Sequence, residues 1–217
     1  RIKNKNLFKI GGKRLIEHAI YIAQKSRVFS EIVVSTDSKK IAEVAIKAGA
    51  KVPFLRQKKL SGPKVTIKDT LHDCIHRIKS SNKEYHCCLF PAAILINPND
   101  LKSAYLKARK NKLDAIFSAI ENQTFFRSFI ENKKYVKFVW KENSKKMSQQ
   151  LKTAYSDSGS FYFFKTKKYL STKKILLKKT SVYVLDKYVG IDVDDKKDLK
   201  FLKLAFKFKS QLNNKNK

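Results

Sequence analysis

Tyr85-His-Cys-Cys-Leu-Phe90, a loop closing at Asn99, a polar-faced span from Asp100 to Lys110, and Ala115-Ile-Phe-Ser-Ala-Ile120 follow one another directly. The first and last pieces are short and mostly apolar, the mark of strands covered on both faces. The segment between them has the length of a helical crossover that returns the chain to a parallel neighbour. This stretch therefore predicts a strand, a crossover helix and a second strand of one buried sheet.

The same rhythm extends in both directions. Upstream, Leu15, Ile16, Ala19, Ile20 and Ala23 repeat at helical spacing between Lys13 and Arg27, and the apolar run Glu31-Ile-Val-Val-Ser35 reads as a buried strand. Ser38 to Ala48 is a second helix with Gly49 at its C′ position, Lys51-Val-Pro-Phe-Leu55 is a short extended piece, and a third helix spans Thr66 to Ser80. Downstream, residues 121–152 turn polar and irregular around Thr124-Phe-Phe126 and Tyr135-Val-Lys-Phe-Val-Trp140, which reads as an insertion or arm. A strand Ser160-Phe-Tyr-Phe-Phe164, a helix near Lys167, a strand Ser181 to Leu185 and a helix from Asp195 to about Phe208 complete the pattern. The fold class is α/β, doubly wound, with a mostly parallel sheet. One domain is expected over residues 1–210, with 211–217 as a polar tail.

Composition narrows the function. Among 217 residues the formal charge is +31, yet only seven of the 49 basic residues are Arg, and the lysines are spread over nearly every predicted element. Dispersed Lys favours a solvated surface over bidentate readout of phosphates and bases, so nucleic acid is not the expected partner, although an anionic substrate would still be drawn in. No apolar run is long enough to span a bilayer, and neither a membrane partner nor a signal peptide is predicted. Cys74, Cys87 and Cys88 are odd in number and two are adjacent in an apolar run, which suits buried free thiols in a reducing, cytoplasmic compartment. His72 and His76 stand four apart on a predicted helix, but without a third ligand they do not define a zinc site.

In an open α/β sheet the ligand lies beyond the carboxyl ends of the strands, which directs attention to Ser35-Thr-Asp37, Pro91 to Asn97, Ser156-Asp-Ser-Gly159 and Gly190-Ile-Asp-Val-Asp194. Asp192 and Asp194 alternate on an extended segment and so face the same way. Two readings stand side by side: a pair that shares a hard cation such as Mg²⁺, or carboxylates that cap the helix that follows, a role suited to Asp194 or Asp195. Phe161 and Tyr162 alternate on their strand, so one belongs to the core and only the other can reach a ligand.

These segments together resemble the bacterial CMP-sugar synthetases. Arg1-Ile-Lys-Asn-Lys-Asn6, with Gly12-Lys13 and Leu15-Ile16, resembles the family's R-I-x-x-K-N…G-K-P-L-I. Val34-Ser-Thr-Asp37 resembles V-S-T-D, and Val52-Pro-Phe-Leu-Arg56 resembles V-P-F-L-R-P. Cys87-Cys-Leu-Phe-Pro91 with Asn97-Pro-Asn-Asp-Leu101 resembles C-C-x-Y-P-T…x-P-E-D-L. Tyr155-Ser-Asp-Ser-Gly-Ser-Phe-Tyr162 resembles A-Y-x-D-x-G-x-F-Y, and Gly190-Ile-Asp-Val-Asp194 resembles the metal motif I-D-I-D. The matches occur in order over almost the whole chain, and the paired cysteines are most like the pseudaminic acid branch.

The resemblance implies a Rossmann-like cytidylyltransferase that couples CTP to a nine-carbon acidic sugar, pseudaminic- or sialic-acid-like, releasing pyrophosphate. It implies Mg²⁺ on Asp192 and Asp194, Lys5 on phosphate, Asn6 on the nucleotide and Arg56 near the cytosine. It places Asp157, Gly159, Phe161 and Tyr162 on the sugar side, with Arg127 either a carboxylate clamp or an ordinary surface residue, and a homodimer exchanging the arm at 121–152. The family's first strand and Gly-rich phosphate loop would precede Arg1. Arg14, Pro91 to Leu95, Gly62-Pro63 and Met147 depart from the family pattern, Met147 standing where a basic residue is expected and Lys145 or Lys146 being the nearest substitutes.

Overall fold

The computed structural model describes residues 2, 4–62 and 64–215. Arg1 and Lys3 of the first motif and the altered position Pro63 lie outside the described residues.

The chain opens with a small hairpin, β1 (Lys9–Ile10) and β2 (Lys13–Arg14), that runs directly into α1 (Leu15–Ser26). Leu15, Ile16, Ala19, Ile20, Ile22 and Ala23 of α1 are buried, the face that its spacing predicts. α2 (Lys39–Lys47) starts where the Ser38 hydroxyl accepts the Ile41 N–H, and α3 (Ile67–Arg77) where Thr66 accepts the Asp69 N–H. The run at 31–35 is extended and lies parallel to 51–55, joined by bridges at Val33–Lys51 and Thr36–Leu55.

The main sheet holds β3 (Tyr85–Leu89), β4 (Ala115–Asn122), β7 (Ala154–Lys165) and β8 (Thr180–Leu185) in the spatial order β3-β7-β4-β8. α4 (Pro98–Lys110) is the crossover from β3 to β4, α5 (Thr166–Thr172) follows β7, and α6 (Lys196–Lys215) closes the fold. β3, β4 and β8 run one way. β7 runs against both of its neighbours, so the expected mostly parallel sheet is a mixed one. This is because the chain returns from the excursion at 123–153 without a crossover helix, and an antiparallel pairing needs none. The α/β class stands. The core joins α1, α4 and α6 to the sheet through Leu15, Leu101, Ile116, Phe161, Phe163, Val193 and Leu202.

Residues 129–138 form a separate antiparallel hairpin of β5 (Phe129–Asn132) and β6 (Tyr135–Phe138), on which Ile130, Tyr135 and Val136 are more than half exposed. Residues 211–215, expected in a polar tail, continue α6.

Candidate active site

β4 and β8 end side by side, with Ile120 opposite Leu185. The chain then turns back, and Gly190 settles on the end of β4 and the bulge of β7 so closely that a Cβ there would stand 2.5 Å from Ile120 Cγ2 and 2.8 Å from Ser158 Cβ. Only glycine permits that approach. It brings the segment 190–194 across the carboxyl end of the sheet, where the topology directs a ligand.

Val193 is fully buried, and Asp192 and Asp194 on either side of it are exposed, so both carboxylates point away from the core. The competing role, capping α6, falls to Asp195, one of the two residues the sequence offered for it, together with Asp198. The Asp195 carboxylate accepts the N–H groups of Lys197 and Asp198 at 2.6 and 3.0 Å, while Asp198 accepts those of Asp194 and Asp195 at 2.9 Å each. These bonds from the Asp195 and Asp194 backbone hold the Asp198 carboxyl below its usual pKa. The Asp192 and Asp194 carboxylates are thereby released from capping, and among the described residues Asp192 accepts only its neighbour's N–H, from Val193 at 2.8 Å. The Lys5 ammonium donates to the Val193 carbonyl, which ties a positive charge to the backbone of the segment that carries the two aspartates. Asn6, next in the chain, lines a cleft of about 370 Å³ with Ser35, Asp37, Arg56 and Pro91. Arg56 is held in that cleft by the Ser35 carbonyl at 3.2 Å, the Ser61 hydroxyl at 3.3 Å and the Asp37 carboxylate at 3.5 Å.

On the other side of the acidic segment β7 bulges. Phe117 faces Tyr162 and Ala119 faces Asp157, so Ser118 stands alone opposite the four residues Ser158 to Phe161. Within the bulge Gly159 has φ +60°, and a Cβ on it would lie 3.1 Å from Asp192 Cγ. The Asp157 carboxylate accepts the Gly159 N–H at 2.9 Å and the Tyr162 hydroxyl. Burial, together with that hydrogen bond, raises the Tyr162 phenol well above its ordinary pKa, so it remains a donor. A second network, which sequence reasoning missed, fixes the bulge from beneath. The Ser118 hydroxyl accepts the Phe161 N–H at 2.9 Å and lies 2.7 Å from the Ser158 hydroxyl, which is 3.2 Å from that of Ser160. All three serines are buried, and serines inside otherwise apolar strands were the signal available.

Two expected residues fall outside the site. Phe161 is fully buried in the core, so Tyr162 is the member of the pair that can face a ligand. Arg127 gives its guanidinium to the Lys146 carbonyl at 2.7 Å inside the arm, a structural use that the carboxylate clamp did not anticipate. Met147 is exposed, and the Lys146 ammonium is tied to Asn143 at 3.1 Å, which leaves Lys145 as the nearby cation outside that bond. The three cysteines are free and half-buried rather than fully buried, and desolvation pushes the Cys74 thiol up to about 11 and that of Cys88 to about 12, which keeps them protonated. His72 and His76 approach to 3.3 Å between their Nε2 atoms, and no group of three metal-ligating side chains occurs among the described residues.

The cytidylyltransferase family model matches residues 1–215. The chain is 38% identical to the pseudaminic acid cytidylyltransferase of Campylobacter jejuni subsp. jejuni serotype O:23/36 over 211 residues, 95% of this chain and 91% of that protein. It is 31% identical to a CMP-N,N'-diacetyllegionaminic acid synthase of Campylobacter jejuni subsp. jejuni serotype O:2, over 96% of this chain and 91% of the relative. Among solved structures, the CMP:2-keto-3-deoxy-manno-octonic acid synthetase complexed with CTP superposes with a TM-score of 0.71 at 14% identity, covering 96% of this chain and 94% of that one. This last likeness is one of fold.

Proposed function

Because the chain belongs to the cytidylyltransferase family, we propose that it couples CTP to a nine-carbon acidic sugar, giving a CMP-sugar and pyrophosphate, with a pseudaminic-acid-like sugar as the preferred acceptor. The observation that carries the reading is the Lys5 ammonium bound to the Val193 carbonyl between two outward carboxylates, beside the cleft of Asn6 and Arg56.

Asn6 and Arg56 bind and orient the nucleotide in that cleft, and the triphosphate extends toward Lys5. The sugar approaches from the β7 bulge, where Asp157, held by Tyr162 and Gly159, accepts hydrogen bonds from its hydroxyl groups. The anomeric hydroxyl oxygen then attacks the α-phosphate, forming a new P–O bond as the bond to pyrophosphate breaks and the hydroxyl proton passes to water. Positioning in line and fixed charge carry such a transfer. Two carboxylates suit Mg²⁺, which is commonly held by one or two carboxylates and completed by water and substrate phosphates. Asp192 and Asp194 would hold the ion, which when bound offsets charge on the phosphates. The exposed apolar hairpin of β5 and β6 fits a homodimer contact, and the reading places the enzyme in the cytoplasm.

The test is pyrophosphate release from CTP with pseudaminic, legionaminic and sialic acids, with and without Mg²⁺. Release with at least one acid, fastest with pseudaminic acid and dependent on Mg²⁺, is expected. No release with any of them overturns the proposal.

A further inference from the structure

α6 has two apolar faces, and the fold uses one. Leu199 and Leu202 are buried and Phe206 packs against the core. Away from them, Phe201, Leu204, Phe208 and Leu212 recur at steps of three, four and four residues, and are 55, 66, 54 and 41% exposed. Those steps keep the four side chains in one stripe along the helix. Leu212 shares the wall of a cavity with Val184 and Tyr188, both 46% exposed, so the stripe continues onto the edge strand β8. Lys197, Lys200, Lys203 and Lys207 are all exposed beside it.

An apolar stripe of this extent marks an interaction surface. A second copy of the chain would bring its own lysines against these, within a molecule already at +31. A dissolved polyanion would satisfy the lysines and leave the stripe in water. A bilayer rich in anionic lipid satisfies both, since apolar side chains enter the acyl boundary while lysines meet the headgroups. No described helix is long and apolar enough to cross a membrane, so α6 would lie on it. We propose that α6, with the adjoining edge of β8, seats this protein on an anionic membrane surface. This differs from the sequence expectation of no membrane partner, because the stripe is apparent only once the inner face of α6 is assigned to the core.

The test is co-sedimentation of the full chain with vesicles of phosphatidylcholine alone and with added phosphatidylglycerol, at low and at physiological salt. Binding is expected only with phosphatidylglycerol, weakened by salt, and reduced by at least roughly tenfold in Phe201→Asp/Leu204→Asp. Melting temperature and CTP turnover should be unchanged in that variant, and Phe201→Ser/Leu204→Ser replaces it if the aspartates lower the melting temperature. Three results would overturn the proposal: no binding to either vesicle, equal binding by the variant, or conversion of an oligomer to a monomer by the substitutions.

Discussion

The acidic segment 190–194 and the arm at 121–152 sit at opposite extremes of constraint. In the first, Val193 is fully buried, Gly190 is pressed onto β4 and the bulge of β7, and Lys5 closes the segment from the far end of the sequence. In the second, a two-stranded hairpin displays Ile130, Tyr135 and Val136 to solvent, and its polar residues bond mainly to one another. Charges proposed to meet phosphates and a cation are fixed by backbone packed against the core, where sub-ångström placement can be maintained. Side chains proposed to meet a partner chain can sit on a hairpin that stands apart from the main sheet.

Exchanging charge within the first region should have the largest effect. Asp192→Asn or Asp194→Asn should lower turnover on the order of 100- to 1000-fold with an unchanged melting temperature. Asp195→Ala should instead cost about 1 kcal/mol of stability through the lost cap and leave turnover near normal. Steady-state kinetics and thermal melts on the three proteins separate the roles, and equal behaviour of Asp192 and Asp195 variants would erase the distinction.

Gly159→Ala should follow. A left-handed backbone costs an ordinary residue about 1–2 kcal/mol, and the new Cβ would press on Asp192, 3.1 Å from its Cγ. Reduced stability together with a raised Mg²⁺ requirement is expected, and a change in stability alone would detach the bulge from the proposed metal site.

In the arm, Ile130→Asp/Val136→Asp should convert a dimer to a monomer in sedimentation while chain folding is kept, since both residues are more than half exposed. A variant with unchanged mass would move the dimer contact elsewhere.

The smallest effect concerns pH. His86 is held between the Ser80 and Thr166 hydroxyls, each at 2.7 Å, and burial lowers its pKa from 6.5. The unfolded chain therefore binds a proton at higher pH than the folded one, so this contribution is complete above about 6.5 and is lost as pH falls below it. Melting temperatures from pH 8 to pH 5 should decline less steeply in His86→Gln, and parallel curves would refute the assignment.

What was legible in the sequence follows the same division. α1, β3, β4 and the outward pairing of Asp192 with Asp194 could be read because apolar periodicity reports burial, and these segments are buried on a regular period. The amino-terminal half of β7 was missed because Ala154 to Ser160 is nearly all small and polar, its pairing being supplied by β4 and by buried serines. Phe161 and Tyr162 showed which parity to expect but not which residue faced inward, as that depends on the bulge. The cap of α6 was legible as Asp194 or Asp195, and the spacing of three between Asp195 and Asp198 is what decides for Asp195. Arg127 carried no local pattern, and only the fold shows that Lys146 occupies it.

The central claim is a phosphodiester between CMP and a nine-carbon acid, and it is tested most directly by following CTP with pseudaminic acid and Mg²⁺ by phosphorus NMR. A growing CMP-sugar signal matched by pyrophosphate is expected, and neither signal with Asp192→Asn on the same timescale. Pyrophosphate without the CMP-sugar, or an equal signal from the variant, would contradict it.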